Sequence, residues 1–103
     1  MVKIEVVRIS PRCYTNEDGD KIHQHIYPLL KKGELVELSF KGIDVIPSSF
    51  ANTALISLLE HFDFEYLKTH LFFKETSRQI NDMIRTRFSF EVSRRANQKD
   101  SSE

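Results

Sequence analysis

The sequence predicts an α/β fold, a small mixed, mostly parallel sheet of about four strands with helices packed on it. Three observations carry this. Runs rich in β-branched residues alternate with segments whose apolar residues recur at helical spacing, in the order strand, helix, strand, helix, strand, helix. Leu35 to Phe40 is nearly continuous in apolar character, the pattern of a central strand covered on both faces. A length of 103 residues leaves room for one core and no second. Residues 1–93 are therefore read as a single domain, and 94–103, RRANQKDSSE, as a polar, frayed and disordered tail.

Val2 to Ile9 alternates loosely through Val2, Ile4, Val6 and Val7 and is expected as the first strand, ended by Pro11, which has no N–H for a ladder. The polar stretch after it holds Asn16, Asp18 and Asp20 but fails as a calcium loop. Gly19 lies between the two aspartates instead of after the third ligand, and no glutamate closes the pattern. Asp18 is expected instead as the N-cap of a helix. That helix carries Ile22, Ile26, Leu29 and Leu30 on one side and stops at Gly33. Pro28 should kink or restart it, since an interior proline costs roughly 3 kcal/mol. His23 and His25 point about 200° apart on a helix and cannot share a metal, so both read as surface histidines.

Leu35, Val36, Leu38 and Phe40 form the central strand, and Lys41 and Gly42 turn the chain. After Ser48 and Ser49 a broad apolar stripe runs through Phe50, Ala51, Ala54, Leu55, Leu58, Leu59 and Phe62. Asn52, Thr53, Ser57 and Glu60 lie on the other side with Ile56, an apolar residue on the polar face that hints at docking. Phe64 to Lys68 reads as one helical turn and His70 to Lys74 as a buried strand. Thr76 with Gln79 makes a capping box for the last helix, whose stripe is Ile80, Met83, Ile84, Phe88 and Val92.

Hydrophobic residues at 40% and charged ones at 29% exclude a wholly disordered chain. Fifteen basic and fifteen acidic residues cancel, so no global field draws the molecule to nucleic acid or membrane. The N-terminus is too short and charged for a signal peptide, and no apolar run approaches the ~20 residues of a membrane span, so a cytoplasmic protein is expected. Cys13 stands alone, which rules out an internal disulfide and suggests a passive thiol. No phosphate-binding glycine loop, paired zinc ligands or nucleophile elbow occurs, and the spacing of Ser49, His61 and Asp44 makes no triad. The expectation is a protein without enzymatic activity, cofactor or metal.

Two features remain as partner-binding candidates. Arg78, Arg85, Arg87, Arg94, Arg95 and Lys99 give the last helix and tail a local basic excess, the basis of the alternative that this is a small nucleic-acid-associated protein. The other is the serine pair. Pro47 forces Ile46 to be extended, so Ser48 is the natural cap of the helix that follows. Ser49 then sits in the first turn, where a phosphate would leave the helix intact and add roughly two negative charges.

The stretch LVELSFKGIDVIPSSFANTALISLL, supported by DGDKIHQHIYPLL before it and LKTHLFFKETSRQINDMI after it, resembles the STAS-like domains. These are a bacterial group related to the anti-sigma factor antagonists, and the likeness covers about residues 18–90. In the antagonists, the resemblance implies, a serine at the start of the helix after the central strand is phosphorylated by a partner serine kinase, a histidine-kinase-like ATPase, and phosphorylation releases that partner. By position Ser49 matches the acceptor, with Pro47 and Phe50 standing where the antagonists have an acid and a glycine. The expected function is a regulatory module that docks a protein partner through Ser48, Ser49, Asn52, Thr53 and Ile56, with Ser49 as the switch. Some proteins of this kind look like parts of mobile-element or stress-response cassettes, so a mobile-element or phage-related protein of the same fold is a further alternative.

Overall fold

The computed structural model describes residues 1–101, with side chains through Arg95. The elements are β1 (Val2–Glu5), α1 (Val6–Ile9), α2 (Asn16–Lys31), β2 (Val36–Ser39), α3 (Ser48–Ala54), a 3-10 helix (Ile56–Glu60), α4 (Phe64–His70), β3 (Leu71–Lys74) and α5 (Arg78–Ser101). The sheet has three strands rather than about four, in the order β1-β2-β3, and both pairings are parallel. Its registers align Val2, Val36 and Leu71 in one row and Ile4, Leu38 and Phe73 in another. Both rows face the helices and the core.

The opposite face carries Lys3, Glu37 and Phe72, then Glu5, Ser39 and Lys74, and none of these is buried. The central strand is therefore covered on one face, not two. Its apolar look came from residues just outside it. Leu35 is exposed before the strand, and Phe40 is buried after it, where its N–H bonds the Lys74 carbonyl.

β1 ends at Glu5, opposite the last residue of β2, and the expected strand to Ile9 becomes one helical turn that tucks Val6 into the core. α2 begins earlier than expected. Thr15 is its N-cap, accepting from the Asp18 N–H at 3.1 Å, while Asp18 Oδ2 accepts from the Thr15 and Tyr14 N–H groups. Asp18 is thus not the cap but the third residue of the helix and the carboxylate half of a capping box. Those N–H groups, the Tyr14 one foremost, hold its carboxyl below the ordinary range.

α2 passes through Pro28 without restarting, because Gln24 and Pro28 both lie on its solvent side and water can serve the carbonyl that Pro28 leaves unbonded. Gly33, at φ +85°, ends the helix in a Schellman motif, with Gly33 N–H on Leu30 O and Glu34 N–H on Leu29 O. α5 is capped by Ser77, whose Oγ accepts from the Ile80 N–H, and not by Thr76.

The core joins Ile4, Val36 and Leu38 of the sheet to Ile22, Ile26 and Leu30 of α2, Phe50 and Ala54 of α3, Leu58 of the 3-10 helix, and Ile80, Ile84 and Phe88 of α5. Gly19 explains how closely α2 approaches α3. A Cβ there would lie 2.8 Å from the Phe50 carbonyl oxygen and 3.0 Å from Thr53 Cβ. α5 continues through Arg94 and Arg95. Of the stretch read as a tail, the side chains of 96–103 and all of 102–103 lie outside the described residues. No helix among the described residues is long and apolar enough to cross a membrane.

Candidate functional site

The loop from β2 to α3 is pinned from behind. Gly42, at φ +86°, turns the chain after Phe40, and the loop that follows reaches Pro47, which is extended at φ −79°, ψ 164°. Gln79 of α5 pairs with both sides of Ile46, since the Ile46 N–H donates to Gln79 Oε1 at 2.9 Å and Gln79 Nε2 donates to the Ile46 carbonyl at 3.0 Å. The Ser77 hydroxyl donates to the Asp44 carbonyl. A carboxamide thus does for this loop what a neighbouring strand would do. Ile46 is buried as a result, and Val45 points outward, 53% exposed.

Pro47, not Ser48, occupies the cap position of α3, and no side chain caps the helix. Pro47, its φ fixed by the ring and its ψ at 164°, already sets the entry angle, so Ser48 becomes the first helical residue and is exposed. Ser49, one position on, is half-buried.

Asn52 and Thr53 are also half-buried and engaged. Arg87 Nε donates to Asn52 Oδ1 at 2.9 Å, and the Thr53 hydroxyl bonds Asn16 Oδ1 at 3.3 Å. The exposed side of α3 is therefore framed by α5 on one flank and the start of α2 on the other.

Ile56 leaves the site altogether. The single helix expected from Phe50 to Phe62 breaks at Leu55, at φ −119°, ψ −52°, and continues as the 3-10 helix. That change of twist turns Ile56 into the core, where it is 7% exposed. His23, expected at the surface beside the exposed His25, is half-buried against this segment. Its ring stacks on Tyr27, and its Nδ1 lies 2.9 Å from Ser57 Oγ, which itself donates to the Thr53 carbonyl. Burial first, and then the neighbouring His61, hold the His23 pKa below its ordinary value.

Beside the pinned loop, Pro11, Cys13 and Tyr14 face Gly42 to Val45 across a cleft of about 210 Å³. It lies past the carboxyl ends of β1 and β2, where open α/β sheets characteristically receive ligands. Tyr14 is 64% exposed on its rim. Cys13 is buried at its base. Burial, aided by the charge of Asp18, pushes its thiol up to about 11, so at neutral pH it is a protonated thiol and a poor nucleophile.

The basic helix is largely engaged within the molecule. Arg85 bonds Asp82, Arg87 bonds Asn52, and Arg94 and Arg95 both bond Glu91. Glu91 is buried, and its bond from Arg94 holds its pKa down.

The sequence reading groups Ser48, Ser49, Asn52, Thr53 and Ile56 in one docking surface; the structure takes Ile56 into the core, and the sequence does not single out Val45, Tyr14 or Gln79. Gln79 reads there as half of a capping box. No local pattern could reveal that it reaches a backbone 33 residues away.

Residues 18–81 match the family described as STAS-like domain of unknown function (DUF4325). No curated protein and no solved structure matches the chain. The match runs from the first turn of α2 through β2, the pinned loop, α3 and β3 to the start of α5, more than half of the chain, and the chain belongs to this STAS-like family.

Proposed function

We propose that the chain is a regulatory module without enzymatic activity of its own, which docks a protein partner on the surface formed by Val45, Ser48, Ser49, Asn52 and Thr53. The observation that carries this reading is the pinned loop. An exposed valine and two serines stand on a backbone whose hydrogen bonds are made inside the protein, by Gln79 and Ser77. A partner meets these side chains already ordered, so binding them costs little loop entropy.

The family likeness supports a partner of the histidine-kinase-like ATPase class and a switch at Ser49. A phosphate there adds about two negative charges at the edge of the Val45 patch, which an apolar contact would not tolerate. The helix start accommodates the same charge without unfolding.

The chain purified from its own cells, with and without phosphatase treatment, tests this by peptide mass spectrometry and by what copurifies. Phosphate on Ser49, with the partner confined to the unphosphorylated fraction, is the expected result. A partner held equally by both fractions overturns the switch.

A further inference from the structure

β3 is bonded to β2 on one side and has no strand on the other among the described residues; the Leu71 N–H is taken by the Leu67 carbonyl of α4, which leaves the backbone about Phe73 as the open part of the edge. On the helix-covered face of β3, α4, β3 and α5 border an open groove of about 380 Å³. Its walls are Phe64, Leu67, Leu71, Phe73, Ile84 and Phe88, and the two charged side chains lining it, Lys68 and Arg85, are both cations.

Edge and groove ask for the same occupant. A strand added to β3 would lie about 4.8 Å away with alternate side chains facing the helices. Those side chains fall over the groove, because Leu71 and Phe73, the β3 residues that line it, belong to the rows facing the helices. A small apolar molecule would fill the groove and leave the edge unpaired. A helix could not pair with the edge at all.

A second copy of the chain fits poorly. Its own Leu71 and Phe73 are committed to its own core, so pairing β3 with β3 would set two unfilled grooves side by side and bring Lys68, Lys74 and Arg85 of both copies together. Lys68 and Arg85 rest on exposed pairs with Glu65 and Asp82, contacts weak enough to exchange for a carboxylate from an occupant.

We infer that the β3 edge is a strand-addition site for an extended, acidic segment of another protein, which pairs its backbone with β3 and sets one large apolar side chain into the groove. The surface is separate from the one at α3.

The probe is a capped peptide alternating glutamate with apolar residues around a central phenylalanine, followed by amide chemical shifts of the whole chain up to about millimolar peptide, the range expected of short strands. Shifts concentrated in β3 and the groove are expected. A version with lysine for glutamate should bind about tenfold more weakly, as should wild-type peptide to the exposed-site variant Arg85→Glu. A backbone N-methylated version should not bind. Ile84→Lys should abolish binding, and Arg85→Glu keeps the proposal testable should that core variant fail to fold. Equal binding of the N-methylated peptide would reduce the site to an apolar groove and overturn strand addition. So would the absence of shifts in β3, or a dimer by sedimentation that buries the β3 edge.

Discussion

In the loop leading into α3 the backbone at Asp44 and Ile46 is bonded from within and the side chains are on offer, whereas at the edge of β3 the backbone itself is open. Gln79 and Ser77 satisfy the loop around Ile46 from within, leaving Val45, Ser48 and Ser49 as the exposed features. β3 presents unpaired ladder groups over an apolar groove. A surface of the first kind is read by side-chain identity, so one added charge can turn it off. A surface of the second kind is read mainly by main-chain geometry and tolerates sequence change as long as the apolar anchor remains. If both proposals hold, switching belongs at α3 and sequence-tolerant capture at β3.

The largest expected effect tests whether α3 is anchored as rigidly as this requires. Phe50 is fully buried under it, and Phe50→Ala should cost about 3–5 kcal/mol by urea unfolding. Gly19→Ala should cost about 1–3 kcal/mol, because its new methyl meets the Phe50 carbonyl and must push α2 from α3. A neutral result for both would mean that α3 floats on the core and presents no fixed surface.

Gln79→Ala should follow at about 1–3 kcal/mol, since it strips both backbone partners from Ile46. Amide exchange at Ile46 should quicken while β3 is unchanged, and equal quickening at both would remove the contrast between the regions. A smaller comparison separates two serines. Ser77→Ala removes the cap of α5 and should cost about 1 kcal/mol, whereas Ser48→Ala, which removes no cap, should stay within about 0.5 kcal/mol.

Most of the layout was legible in the sequence because it follows from periodicity. The stripes of α2 and α5, the terminator Gly33 and the order of the elements all rest on residues within a turn or two of one another. What was not legible depends on distant partners. Val6 reads as strand until β2 runs out opposite Glu5. Ile56 reads as exposed until the helix tightens after Ala54. His23 reads as a surface residue until Ser57 and Tyr27 are packed against it. Gln79 reads as half of a capping box until the loop at Ile46 is placed beside α5.

The pH dependence gives the mildest contrast. His23, behind α3, has its folded pKa depressed mainly by burial, with His61 adding to it and Asp20 and Glu60 opposing. The unfolded chain takes up this proton near pH 6.5 while the folded chain resists it, so this contribution is complete above about 6.5 and is lost as pH falls towards the folded value. Urea midpoints should decline over that interval in wild type and flatten in His23→Gln. Exchange around Ser57 should rise before exchange in β3 does.

The most direct measurement of the central claim is retention of the docking partner in a crosslinked pull-down, quantified for wild type, Ser49→Ala, Ser49→Asp and Val45→Glu. The account predicts retention by wild type and Ser49→Ala, with loss by Ser49→Asp and Val45→Glu while Arg85→Glu at the β3 groove leaves it intact. Equal retention by all of them would contradict a docking surface at α3 that is switched through Ser49.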